Sequence, residues 1–445
     1  MNEEAVAVTG PRRWWAGPLD VEGLALDAVT RCAAAAAALG RVRGRPVRVG
    51  VDTADVAAAY DSFRHLRADG RAVAGFAPLS TFVEAHDGWV RFHANYPHHR
   101  AALLSALAIG PHLDDEQAAA RVGAVVRGLT ATDTEALVRS AGGVAAAMRR
   151  PEQWLSHDQG RAVAATPLIE TRRHTGAGAG LPATGRLPMT GLRVLDLTRV
   201  IAGPTATRML GALGADVLRV DPPTMPEILD QHLDTGFGKR SAEADLADPA
   251  ARERLERVLA GADVLITGYR PGALAGFGLA AGDVLARRPH PVVAELSAWG
   301  SGGPWAGERG FDSIVQVATG IAHRYATGSR PGALPVQALD HTAGYLLAAA
   351  VMEALAHRDD GGAAVRVSLA RVAHELQTRP PGPVAEPGSA DERRAAGLLP
   401  VRTETVTSAY GTLVHVPPPL RVDGERLRFP APPRPYGRDE LAWAG

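Results

Sequence analysis

Apolar positions fall into two alternating rhythms through the middle of the chain. Short unbroken runs, Leu192-Arg-Val-Leu-Asp-Leu197, Ala215-Asp-Val-Leu-Arg-Val220, Asp263-Val-Leu-Ile-Thr267 and Pro291-Val-Val-Ala-Glu-Leu296, have the length and composition of buried strands. Between them, residues 204–213, 249–259 and 280–287 carry the spacing of helices. Strands apolar on both sides need cover on both faces, and helices between them supply it. The pattern therefore predicts an α/β fold over residues 190–377, a doubly wound, Rossmann-like parallel sheet.

The first 174 residues read differently. They predict an alanine-rich helix at 21–39, a strand at 46–51 and a hairpin at 82–92 turning on Asp87-Gly88. Helices follow at 100–107, 115–129 and 133–140. This is a smaller α+β domain, 1–174. A Gly/Pro/Ala stretch, 175–189, reads as a linker, and 378–445 as a connector followed by a C-terminal tail. A repeat also shows through. Ala25-Leu26-Asp27, an alanine-rich helix and Val47-Arg48-Val49 match Ala338-Leu339-Asp340, an Ala/Leu helix and Val365-Arg366-Val367. Residues 21–60 thus read as a possible remnant of a duplication.

Composition narrows the functions. With 445 residues, 46% hydrophobic and 22% charged, the chain has the balance of a globular protein of two or three units. A formal net charge of zero gives no general attraction to nucleic acid or anionic membrane, and neither partner is expected. No uninterrupted apolar run approaches the roughly 20 residues of a membrane span, and residues 1–13 have no apolar signal core, so a cytoplasmic location is expected. The single cysteine, Cys32, sits in the alanine run and reads as a buried, inert thiol. Lys239 is the only lysine among many arginines. A compact ammonium and a planar guanidinium do not fit the same anion pocket, so this position is a candidate for charge recognition or a chance survivor.

The segment Thr198-Arg-Val-Ile-Ala-Gly-Pro-Thr205 follows a strand and opens a helix, placing free N–H groups and the positive end of the helix dipole where an anion can bind. It lacks the glycine pattern of a dinucleotide fingerprint. Asp340 precedes an apolar helical run expected at 342–355, where an aspartate is either a helix cap or a reactive carboxylate. His93, His98 and His99 have no acidic or cysteine partner at ligand spacing, and Pro97 between them suggests a surface loop; no metal is expected.

Taken in order, Leu192 to Pro204, Leu213-Gly-Ala-Asp-Val-Leu-Arg-Val-Asp221, Gly238-Lys-Arg-Ser241, Ala262 to Gly272 and Gly310-Phe-Asp-Ser-Ile-Val-Gln316 strongly resemble the class III CoA-transferase family, which includes formyl-CoA and carnitine CoA-transferases and α-methylacyl-CoA racemase. The family normally runs large domain, small domain, tail; here the segment resembling the small domain comes first, so the order looks rearranged. The resemblance implies that Asp340 is the catalytic carboxylate. It implies that Val200, Ile201 and Ala202 receive the nucleotide part of CoA, with Lys239 near the phosphates and Tyr269 packing on the adenine. Arg270 joins them as a candidate for phosphate charge. Where many members have asparagine before the aromatic residue, this chain has Gly268. The expected activity is transfer of CoA from an acyl-CoA to a carboxylic acid through an aspartyl-CoA thioester, with coenzyme A as carrier, no metal or redox cofactor, and a homodimer as assembly. Two alternatives stand beside it. An acyl-CoA isomerase or racemase needs a second proton carrier, and the histidine of the racemase branch is replaced by Phe311, leaving His341 or His323 as substitutes. A catalytically degenerate acyl-CoA-binding paralogue is the other.

Overall fold

In the computed structural model, which describes residues 6–444 apart from 11, 13, 16, 177–179 and 383–400, the apolar runs of the middle region join into one seven-stranded sheet. Part of the expected linker and most of the connector after residue 382 lie outside the described residues. The strands, in chain order, are β1 (Glu170–Arg173), β2 (Arg193–Leu197), β3 (Asp216–Asp221), β4 (Lys239–Glu243), β5 (Val264–Thr267), β6 (Val292–Ser297) and β7 (Ala363–Ser368). Their spatial order is β4-β3-β2-β5-β6-β7-β1. Strands β2 to β7 run parallel and β1 closes the edge antiparallel to β7. The expected doubly wound α/β sheet is what forms. The order reverses between β2 and β5, and at such a switch point the loops leaving the two strands diverge and open a crevice.

Alternation explains the unbroken apolar runs. Val194, Val217, Val264, Ile266 and Val292 face one core, while Leu195, Leu218, Leu265 and Val293 face another. The first face is covered by α1 (Val21–Val42), α2 (Ala202–Ala212) and α4 (Ala338–Leu355); beside them lie α3 (Asp312–Ala318) and α5 (Leu369–Thr378). Helices Pro249–Ala260 and Ala281–Arg287 cover the second. Helix α4 starts four residues earlier than expected: Gln337 is its cap, so Asp340 is the third helical residue and not a cap.

Helix α1 is long and apolar enough by length and composition to cross a membrane, but it is mostly buried, against α4 and the sheet core. Cys32 within it is fully buried, and burial pushes its thiol up to about 12. Residues 79–147, including the expected hairpin (Phe82–Glu84 with Trp89–Phe92), close over a separate core of Val90, Phe92, Leu103, Leu104 and Val126. The region 1–174 is thus divided among three cores, Leu66 and Ala68 packing with Phe237 and Leu413 in the third, and β1 from its end belongs to the large sheet. The tail returns to the beginning: Leu420–Val422 pairs antiparallel with Val49–Asp52, which also pairs in parallel with Ala7–Thr9.

Candidate active site

The crevice at the switch point is a cavity of about 500 Å³. Its floor is the loop between β2 and α2. Val200 there has φ +70°, a left-handed conformation that a β-branched residue adopts only under constraint, at a cost of about 1–3 kcal/mol. The constraint is visible. The Val200 N–H donates to Glu227 Oε2 at 2.8 Å, and Glu227 is itself held by Arg219 at 3.1 Å and by the Tyr96 hydroxyl at 2.7 Å. Burial would raise the Glu227 carboxyl, but Arg219 and Arg199 outweigh it and hold the group below its usual range. An ionised Glu227 therefore keeps the loop bent. Val200 and Ala202 line the cavity; Ile201 is the residue that turns the chain into α2.

Asp340 reaches the same cavity because α2 and α4 touch. A side chain at Gly344 would lie 2.5 Å from the Ala202 carbonyl oxygen and 2.8 Å from Thr205 Cβ. Only glycine permits this approach, and it seats α4, one turn beyond Asp340, against the first turn of α2. Tyr269 and Arg270, leaving β5, form the opposite wall. Burial pushes the Tyr269 phenol up to about 12, so it stays neutral. Arg270 is exposed and donates to the Gly307 carbonyl at 3.4 Å.

Lys239 is placed elsewhere. Its ammonium is fully buried, 3.1 Å from Asp196 Oδ2 and 3.0 Å from the Pro204 carbonyl oxygen, and does not line the cavity. Asp196 also accepts from Thr198 and Thr207, so the pair ties β2, α2 and β4 together beneath the loop. Burial lowers Lys239 to about 8 while Asp196 counters it. Its position supports the loop from below.

The cavity also contains side chains that the sequence reading passed over. Arg199 stands over the Tyr96 ring at 5.0 Å and donates to the Pro226 carbonyl at 2.8 Å. Arg309 lines the wall, its pKa lowered by burial and by the like charge of Arg270, so two guanidiniums converge where an anion would relieve them. His98 and His99 line it as well. Pro97 starts the helix Pro97–Ala106 and does not make a surface loop, and His93 and His99 are buried, His93 stacked on Phe311 with ring centroids 3.6 Å apart. Burial brings both His93 and His99 down to about 3, so they are neutral. His341 points away, 5.2 Å from the Tyr60 ring, and His323 is exposed; neither lines the cavity. Among the described residues no group of three acidic, histidine or cysteine side chains is arranged to hold a metal.

A helix N-terminus beside Asp340 favours its carboxylate form, but two other influences oppose it. Burial, and then the neighbouring Asp312, push the Asp340 carboxyl well above its usual value. The first-turn N–H groups of Leu339 and Asp340 donate to Asp312 Oδ2, at 2.9 and 3.0 Å, and are not free for Asp340.

A strained loop, two arginines and a buried carboxyl thus share one switch-point crevice of an α/β sheet, the place where such folds hold their ligands. Residues 189–401 match the model of CoA-transferase family III. A probable fatty acyl-CoA transferase of Mycobacterium tuberculosis is 34% identical over 206 residues, 43% of this chain and 52% of the relative. The acyl-CoA transferase of Gibberella moniliformis is 29% identical over 310 residues, 65% of this chain and 54% of the relative. The chain thus spans about half the length of these curated relatives. A solved structure of a hypothetical protein from Mycobacterium tuberculosis aligns with a TM-score of 0.41 at 34% identity, covering 43% of this chain and 56% of that one.

Proposed function

We propose that the chain transfers CoA between an acyl-CoA thioester and a carboxylic acid, with Asp340 as the covalent participant. The observation that carries this reading is one cavity shared by Asp340, the Val200–Ala202 loop and the Tyr269–Arg270 wall. CoA would place its phosphates at Arg270, Arg309 and the α2 N-terminus, with the adenine against Tyr269 and the thioester at Asp340. The Asp340 carboxylate attacks the thioester carbonyl; the C–S bond breaks, CoA leaves as thiolate and a mixed anhydride remains. The thiolate then attacks the Asp340 carbonyl, releasing the donor acid as carboxylate and leaving an aspartyl-CoA thioester. An incoming carboxylate attacks that thioester, forming a new anhydride and freeing CoA thiolate. The thiolate attacks the acceptor's carbonyl, giving the new acyl-CoA and restoring Asp340. By the same resemblance the assembly is a homodimer.

Attack needs the ionised carboxylate, and the raised Asp340 value means that this fraction grows with pH. Mass spectrometry of the intact protein after incubation with a panel of acyl-CoAs tests the reading. A CoA or acyl adduct on the peptide bearing Asp340, absent in Asp340→Ala while CoA still binds, supports it; CoA binding without any adduct favours the degenerate paralogue. One observation favours a second reading, α-proton exchange. Asp340, whose carboxyl burial raises, and His99, whose imidazole burial lowers to about 3, line the same cavity, so a carboxyl that holds its proton more tightly than usual faces a neutral imidazole. Deuterium uptake from solvent into an acyl-CoA without acceptor acid separates the two.

A further inference from the structure

Two carboxyl groups meet at the start of α4. Asp312, the first residue of α3, is 1% exposed. One of its oxygens holds the N–H groups of Leu339 and Asp340, at 2.9 and 3.0 Å. Its other oxygen takes the side-chain amide of Gln316, one turn along α3, and the Gln316 oxygen accepts the Leu334 N–H at 2.9 Å. Asp312 and Gln316 therefore pin both ends of the stretch 334–340 that presents Asp340. No lysine or arginine lies within ion-pair distance of either carboxyl among the described residues.

We propose that Asp312 is a positioning residue for Asp340: it fixes the place of the Asp340 carboxyl through the backbone of α4 and governs its ionisation through its own charge. The consequence for CoA transfer rests on the proposed function, but the measurement does not.

The geometry gives the reason. A carboxylate bonded to the Asp340 N–H is next to the Asp340 side chain in a buried corner, where like charges interact with little screening. One negative charge is tolerated there more readily than two, and the pair titrates as a unit. Asp312, with its three N–H donors, is the better place for that charge, and Asp340, with no side-chain hydrogen bond among the described residues, is the worse. The other charged or titratable groups facing this corner are Arg91, from the strand Trp89–Phe92, and His98, His99, Arg199 and Arg309 in the cavity wall. Burial, and then the contacts from Gln316 and the two N–H groups, leave Asp312 near 6, while Asp340 is pushed further.

The test follows the Asp340 carboxyl by ¹³C NMR of aspartate-labelled protein, with Asp340→Asn to assign its signal. Asp312→Asn and Asp312→Ser remove the charge but keep an acceptor for the two N–H groups. In either, the Asp340 midpoint is expected to fall by about one pH unit or more. Asp312→Glu keeps the charge but displaces the clamp; it is expected to leave the midpoint raised and slow adduct formation about tenfold. A midpoint unmoved in both neutral variants, each still binding CoA, overturns the inference. If the wild type forms no adduct with any acyl-CoA and the midpoint still falls in the neutral variants, the transferase reading fails and the inference stands.

Discussion

Helix α4, strand β7 and helix α5 form one helix–strand–helix unit; helix α1, strand Val49–Asp52 and helix Thr53–Tyr60 form another. In both, the strand runs straight into the second helix and has one parallel and one antiparallel neighbour. The matching stretches Ala25-Leu26-Asp27 and Ala338-Leu339-Asp340 lie in helices packed on each other. Yet Asp340 is buried in the first turn of its helix at the mouth of a cavity. Asp27 lies in the second turn of a helix that starts at Val21, is 67% exposed and pairs with Arg379 at 2.7 Å. The motif is shared; the surroundings are not. Only Asp340 has strand ends β2 and β5 diverging beside it, and those create the site.

The largest expected effect sharpens this contrast. Asp340→Asn should lower adduct formation by at least about a thousandfold, while Asp27→Asn should change it less than about twofold, read by mass spectrometry of the intact protein. Equal losses in both variants would break the comparison. Next, Lys239→Met leaves the Asp196 carboxylate buried without its cation and should cost about 3–5 kcal/mol in denaturant unfolding. Its effect on CoA affinity in the folded protein should be small. Arg270→Ala should do the opposite, weakening CoA about tenfold by calorimetry with little change in stability.

A fourth expectation concerns acidity. An unfolded aspartate ionises near pH 4, whereas buried Asp340 ionises higher. Between those values the unfolded chain has lost a proton that the folded one keeps, so the stability contributed by Asp340 falls as pH rises. Asparagine does not titrate. The melting temperature of Asp340→Asn relative to wild type should therefore climb as pH rises above about 4, and a constant difference would contradict the assigned burial. The smallest effect is that of Asp27→Asn on stability, within about 0.5 kcal/mol, as expected for an exposed pair.

Much of the sheet was legible because its signals are local. Four strands fall within a residue or two of the apolar runs that predict them, since a strand covered on both faces must be apolar throughout. Asp340, Val200, Ala202, Tyr269 and Arg270 lie around one cavity. What escaped was non-local. His98 and His99 enter the wall from a helix more than 200 residues before Asp340, and no short pattern announces that approach. Lys239 stood out by composition, but its partner Asp196 is buried on another strand, and a lone cation looks the same whether it faces ligand or core. The start of α4 was read late because its first turn is capped by Asp312, from a different helix.

The returning tail has a consequence for synthesis. Strand Val49–Asp52 finds its antiparallel neighbour, Leu420–Val422, some 370 residues later, and Arg67–Ala68 finds Gly411–His415 almost as late. A ribosome releases these partners long after the first segments have emerged, so the early strand waits with an open edge while the central sheet assembles. Refolding of this region should be the slow phase, and the nascent chain is most in need of a chaperone during that interval.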